Sequence, residues 1–543
     1  MEISPFVDDP NERVIEAEQI RRRAAKDERN LGVFPHPTNG DEELYPDRIG
    51  NFSKGLRHND LGEVEPTQYD ALLDALRSGD FNDFEALQLG STKVDGKQIS
   101  NLRLLNPLGG LVFNIEGPDS PATTVNPPPA FASPEIAGQM AELYWMAVCR
   151  DVPFSNYNSD PTIAAAAIDL ATFPGYEDVT PQTLFRVSYP GVKHGLIVSQ
   201  FLLLPFRYDG ISIEARTRVP QPVTTGNGID FLTSYEEWLC AQRGFPRADN
   251  PFDYPFCQVG QQRFDAAPRF IRSVRDMGQN AAQDSIYSAF FRAALILNEI
   301  NVPVNENNPY KESKTQRAFS TFGLAHLLML VGSVHKAECH TWYQKWNVHR
   351  FLRPEAFGGR VHNNKVGDTS YPIDASLLNS PVLDRIFEYN KLVNQRRGIG
   401  GGEGTFLLPI LLPTGSPTHP SFPAGHAFSA GACVTILKAW FEDVPLRPLM
   451  QPVKPNREGT TLEPYIEGVD GPALTIHGEL NKLAHNLSLG RDMSGVHWRA
   501  DDIEGDRNGE EVAIRILREA RATYPEPFKG FTFTKFDSSQ ITV

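Results

Sequence analysis

Five side chains in this sequence have the types and spacings to enclose a multiply charged oxyanion: Lys345, Arg353, Arg491, His426 and His497. In HTWYQKWNVHRFLRPEAF, Lys345 precedes Arg353 by eight residues, and Pro354 follows. In LSLGRDMSGVHWRADD, Arg491 precedes His497 by six residues, with Asp501 four further on. Between these stretches, HPSFPAGHAFSAGACVTILKAWF (residues 419–441) runs from a Pro/Gly-punctuated loop into an apolar, helix-periodic segment at Ala427, so Gly425 and His426 fall at a helix N-terminus. Unpaired N–H groups and the positive end of the helix dipole collect there, which suits an anion. Arginine forks and a lysine add fixed charge, and a histidine can ligate or move a proton near neutral pH. Taken singly, each residue has an ordinary alternative: a solvated cation, a hydrogen-bonded histidine, Trp342 in core packing, Asp501 paired with Arg499. The functional case rests on the joint pattern.

Helix ends must position these groups. On one unbroken helix Lys345 and Arg353 would lie about 80° apart, but Pro354 disfavours helical geometry at Arg353. Lys345 is therefore expected in the last turns of a long helix over 316–348, with Trp342 one turn before it and Arg353 in the chain just after. Arg491 and His497 would face apart on a continuous helix, by about 120°, and Ser494-Gly495 supplies a break that turns both to one pocket. Ser133-Pro134-Glu135 reads as a cap, a first-turn proline and an acidic residue opening another helix. Further helices are expected over 285–300, 380–396, 427–442, 474–490 and 507–522, and one small hairpin within 181–230. The fold class is mainly α, a helical bundle over residues 131–543 with minor β. Residues 1–130 read as an irregular arm, with helices near 11–30 and 67–79, short strands or extended chain in LRLLNPLGGLVFNIEG, and a proline-rich linker. Such an arm wraps its own domain or a neighbouring subunit.

At 543 residues the chain exceeds one simple core, and 40% apolar with 22% charged residues is ordinary for a globular protein. The formal charge of −15 argues against nucleic acid and anionic membranes as partners, so an anion site must be a local cationic pocket in an acidic protein. Five scattered cysteines form no disulfide framework, and Cys240–Cys257 is the one pair to test for a bridge. The N-terminus has no apolar run of the secretory type. The longest apolar stretch, FGLAHLLMLVGSV at 322–334, is shorter than the ~20 residues that span a bilayer. A soluble protein is expected, of unassigned compartment.

The three motifs, in this order, resemble those of the vanadium-dependent haloperoxidases, which share a helical anion-binding core with type 2 phosphatidic-acid phosphatases and acid phosphatases. GNFSKGLRHNDLGEV and PYKESKTQRAF resemble the bromoperoxidase branch of red algae and cyanobacteria. The resemblance implies that Lys345, Arg353, Arg491 and the Gly425 N–H bind vanadate oxygens and that His497 is the metal ligand, oriented by Asp501. It implies His426 as the acid–base residue toward hydrogen peroxide, Lys345 as the group polarising peroxide, and Trp342 and His419 near the halide, with His419 of the bromoperoxidase type. Halide, peroxide and small organic molecules are the implied substrates, vanadate the cofactor, and a homo-oligomer, up to a dodecamer, the assembly. A structural calcium is implied in VNENNPYKES, a polar ion-free loop being the alternative. Ala424 departs from the family's serine before Gly-His, which removes a hydroxyl from the vanadate site. Rival functions are an acid phosphatase, with His497 as nucleophile, and a non-catalytic oxyanion-binding protein.

Overall fold

The computed structural model describes residues 9–94, 97–223, 228–245, 261–283, 285–335 and 338–543. Helices dominate, and the described strands pair only as four two-stranded antiparallel hairpins. The helix Pro134–Val148 begins as its sequence dictates: the Ser133 side chain accepts from the Ile136 N–H, and Pro134 fills a position that needs no donor. Thr475 caps Ile476–Met493 in the same way, through Gly478 N–H. The central element is Gly425–Trp440, in which every residue but His426 is buried. A helix apolar all round belongs in the middle of a bundle. It packs against Arg499–Arg521 at backbone range: a Cβ on Gly431 would lie 2.0 Å from the Asp506 carbonyl oxygen, and one on Gly509 2.1 Å from that of Phe428.

Several expected elements appear close to their predicted spans: Pro10–Leu31, Pro66–Ser78, Ser288–Glu299, Val382–Arg397 and the hairpin Phe206–Tyr208/Ile211–Ile213. Others need correction. The long helix over 316–348 is instead Leu324–His335, then Cys339–Tyr343 running into a π-helical segment, Gln344–His349. The helix expected at 507 begins at Arg499, and Pro354–Val366 is a helix of its own. The stretch 102–117 forms no strand but a 3₁₀ turn, Gly109–Leu111, in irregular chain. Cys240 is disulfide-bonded, whereas Cys149, Cys339 and Cys433 are free thiols, and Cys257 lies outside the described residues.

Part of the N-terminal region is woven into the bundle. Lys54 is buried with its Nζ 2.6 Å from Glu355 and 2.8 Å from the carbonyls of Thr414 and Ser416. Phe52, Leu56, Tyr69 and Leu72 form a second small core with Trp346, against which Trp342 packs. The motif GNFSKGLRHND thus braces the chain on both sides of Arg353 and just ahead of His419. Among the described residues no helix is long and apolar enough to cross a membrane.

Candidate oxyanion site

Pro354 sets the geometry of the first wall. Arg353 is extended (φ −84°, ψ 150°) as the N-cap of Pro354–Val366, so its side chain leaves the helix axis, as expected for a residue before proline. The guanidinium is buried and reaches three elements at once. Its Nε donates to the His419 carbonyl (3.0 Å), and its Nη1 donates to the Val496 carbonyl (2.7 Å) and to His497 Nε2 (3.0 Å). Its Nη2 lies 2.9 and 3.0 Å from the two ring nitrogens of His419. Lys345 projects from the π-helical segment and is fully buried, with Nζ 3.1 Å from the Pro420 carbonyl and 2.6 Å from that of Ser421.

Ser494 caps the helix that carries Arg491, and Gly495 takes φ 84°, the left-handed turn that frees Val496–Trp498 from the helix. That places His497 beside Arg353. His497 Nδ1 sits 2.7 Å from Asp501 Oδ2, and the same oxygen accepts from the Trp498 N–H (3.1 Å) and from the Ser421 hydroxyl. Because a carboxylate accepts, Nδ1 carries the proton and Nε2 presents its lone pair toward the cations. Asp501 takes this partner rather than Arg499, which pairs with Glu142. The Asp501 carbonyl also accepts from the Ala424 N–H (2.9 Å), tying the His497 loop to the N-terminus at Gly425.

Trp342 completes the wall. Its ring lies 6.0 Å from Lys345 Nζ and 5.2 Å from the His419 ring, and its indole N–H donates to the Leu105 carbonyl (3.2 Å). The arm therefore holds Trp342 in place. His426 follows Gly425 in the first helical turn and is half-buried. Arg491 is buried and donates to the Ala281 carbonyl at 3.4 Å, and its charge reaches Arg353, His419 and His497.

The electrostatics follow from packing like charges out of water. Burial, and then Arg353, push the Lys345 ammonium well below its usual range, and burial pushes the Arg353 guanidinium down to about 9 despite Asp501. Burial and the surrounding cations hold His497 and His419 well below the ordinary histidine value, so both rings are neutral. Burial raises the Asp501 carboxyl to about 6, against the pull of Lys345. Three buried basic side chains short of counter-charge, facing neutral imidazoles, form a donor set that fits a multiply charged oxyanion, whose charge would hold Lys345 protonated.

Sequence reasoning missed Glu338. Its carboxylate lies against Gly425, where a Cβ would come within 2.4 Å of Oε1, and burial raises it to about 7 against the opposing effect of Lys345. Its spacing of seven residues from Lys345, two helical turns, was the available signal. The Ser421 hydroxyl donates to Asp501, behind the imidazole.

Residues 397–525 match the VCPO second helical-bundle domain family. A vanadium-dependent bromoperoxidase of Ascophyllum nodosum is 36% identical over 98% of this chain and 92% of its own length. That of Corallina pilulifera is 32% identical over 95% of this chain and 96% of its own. The solved homohexameric structure of the second vanadate-dependent bromoperoxidase of Ascophyllum nodosum superposes with a TM-score of 0.86 at 32% identity, covering 99% of this chain and 94% of that one. Similarity of this extent, joined to a buried cationic cradle around a neutral, carboxylate-oriented histidine, shows that the chain belongs to the vanadium-dependent bromoperoxidase family.

Proposed function

We propose that this enzyme uses vanadate to oxidise bromide with hydrogen peroxide, releasing a hypobromous-acid equivalent that halogenates organic molecules. The observation that carries the site assignment is the Asp501–His497–Arg353 line: one ring nitrogen is fixed to a carboxylate, and the other carries its lone pair inside a set of buried cations. Lys345, Arg353, Arg491 and the Gly425 N–H would hold the oxygens of vanadate, and His497 Nε2 would bind its metal. When bound, vanadate supplies a Lewis-acidic centre that activates peroxide without changing oxidation state. His426, at the helix N-terminus, takes the proton from the incoming peroxide. Lys345 would hold positive charge beside the bound oxyanion, and Trp342 and His419 would line the halide's approach. The assay is bromination of a phenolic dye by the apo-protein with peroxide and bromide, with and without orthovanadate. Vanadate-dependent bromination is expected. Hydrolysis of a phosphomonoester that vanadate inhibits, with no bromination, would move the chain to the phosphatase side.

Ala424 is the departure with a measurable consequence. It is the N-cap of Gly425–Trp440, extended (ψ 131°), with no side-chain cap. Serine at an N-cap satisfies an amide of the first turn, and a hydrogen bond to a charged acceptor contributes about 1.5–3 kcal/mol. Ala424→Ser is therefore expected to lower the vanadate dissociation constant roughly tenfold or more. An unchanged constant by equilibrium dialysis would show that the hydroxyl cannot reach the anion.

The domain division at about residue 130 and the assembly belong to the same proposal. The helix Pro10–Leu31 buries none of its residues, and its described ion pair to the bundle is Glu28–Arg515 (3.2 Å). Further along the arm, Phe113 is 85% and Ile115 97% exposed. Apolar surface of this kind, on irregular chain in an arm whose first helix buries nothing, is what a second copy of the chain would cover. The solved relative is a homohexamer, and we propose six copies rather than twelve for this chain. Deleting residues 1–31 is expected to lower the assembly mass in light scattering while the helical fold is kept. A full-length monomer would end this part of the proposal. No calcium is proposed in Val304–Ser313, where the Asn305 and Asn307 amides donate to carbonyls of Ala439, Thr532 and Gly530 and the Asn305 and Asn308 oxygens accept backbone amides.

A further inference from the structure

Outside the oxyanion site, a cavity of about 390 Å³ opens between the segments 154–158, 181–198, 271–272, 454–456 and 470–472. It shares no residue with the site described above. Its walls are apolar where Phe154, Leu196, Val198 and Ile271 line it, yet it also carries four cations, Arg186, Lys193, Arg272 and Lys454, against one carboxylate, Asp470. In a chain of formal charge −15 that balance runs against the surroundings. Two of the cations are offset: Lys454 pairs with Asp470 at 2.9 Å, and Arg272 lies 3.7 Å from Asp276. Arg186 and Lys193 have no carboxylate partner among the described residues.

Arg186 is the informative one. Its Nη1 donates to the carbonyls of Val192 (3.0 Å) and Leu196 (3.5 Å), and its Nη2 to that of Gly195 (3.0 Å). A guanidinium has five N–H donors. The Nε–H is buried without a partner, and Nη2, on the same edge of the fork, spends one of its two N–H groups on Gly195. Three carbonyls fix the orientation of that edge, and burial pushes the guanidinium down to about 10, which marks a cation short of counter-charge. The Tyr157 hydroxyl, buried on the same cavity wall, also has no hydrogen-bond partner. A fixed two-donor edge, a phenol donor and an exposed lysine beside apolar walls suit a planar carboxylate on an apolar body, and the volume falls in the range of small-molecule sites.

We propose that this cavity is a binding site for a small organic carboxylate, held by the free edge of Arg186 and the Tyr157 hydroxyl and attracted by Lys193. The site stands whether or not the chain brominates. The probe is 4-fluorobenzoate, followed by fluorine NMR on the full-length protein with orthovanadate saturating the catalytic site. Saturable binding below ~10 mM is expected. Tyr157→Phe should weaken it about tenfold, through loss of one hydrogen bond to a charged acceptor, and Lys193→Ala should weaken it most at low salt. Arg186→Gln should abolish it, but that variant frees three carbonyls, so the other two keep the test independent of folding. Equal affinity in Tyr157→Phe, Lys193→Ala and the parent would overturn the proposal. So would equal binding of neutral fluorobenzene, which would leave an apolar cavity only, or displacement by inorganic phosphate at matching concentration, which would leave a plain oxyanion site.

Discussion

His497→Ala is expected to abolish vanadate-dependent bromination and to weaken vanadate binding by more than ~100-fold, beyond the range measured when only a ligand's supporting partner is removed. The imidazole is buried, and its two nitrogens serve different neighbours: Nδ1–H is fixed to Asp501, and Nε2 faces Arg353. Alanine removes the lone pair and takes one partner each from the Asp501 carboxylate and the Arg353 guanidinium in a dry pocket, so some stability is lost as well. The two losses separate experimentally. Bromination at saturating orthovanadate reads the chemistry, equilibrium dialysis reads affinity, and far-ultraviolet circular dichroism reads the fold. A folded variant that keeps activity within tenfold of the parent would sink the ligand assignment and turn attention to His419, whose ring lies 6.3 Å away.

The second large effect is expected one layer out. Asp501→Asn should weaken vanadate binding by about 10- to 100-fold while leaving His497 in place. Asparagine can offer an N–H where the carboxylate only accepts, so the ring is no longer held in the tautomer that exposes Nε2. It also deletes the negative charge that supports both Lys345 and Arg353 in their protonated forms. If the variant binds vanadate as the parent does, then the His497 tautomer is fixed by Arg353 alone. The Ser421 hydroxyl and the Trp498 N–H on the same carboxylate oxygen make Asn a milder change than Ala, which would also strip those partners.

The grouping of these side chains was more legible in the sequence than the path of the chain that carries them. Arg353 before Pro354, and Ser494-Gly495 between Arg491 and His497, are local rules that the backbone obeys, because proline and glycine act on their immediate neighbours. Asp501 beside His497 was implied by the family resemblance alone, because the residues themselves left Arg499 as its partner and the helix was expected only from 507. The broken helix before Lys345 did not follow, since no proline marks it. Its distortion answers to distant chain: a Cβ on Gly110 would lie 2.3 Å from the Tyr343 amide nitrogen, and Lys345 is anchored to the carbonyls of Pro420 and Ser421. The π-helical turn is set by those tertiary contacts, which propensity cannot foresee. Lys54 escaped notice for the same reason. A lone lysine in an irregular arm reads as solvated, yet its partner Glu355 lies far along the chain, two residues past Arg353.

The glycine seam between Gly425–Trp440 and Arg499–Arg521 has a consequence for how the enzyme fails. The proposed anion cradle begins one of these helices and the His497–Asp501 pair immediately precedes or opens the other, while Gly431 and Gly509 lock the two backbones in contact. Neither half of the site can drift without prising apart the best-packed seam of the bundle. On heating, cofactor escape and global melting should therefore be a single event, with no intermediate stage of folded protein leaking vanadate.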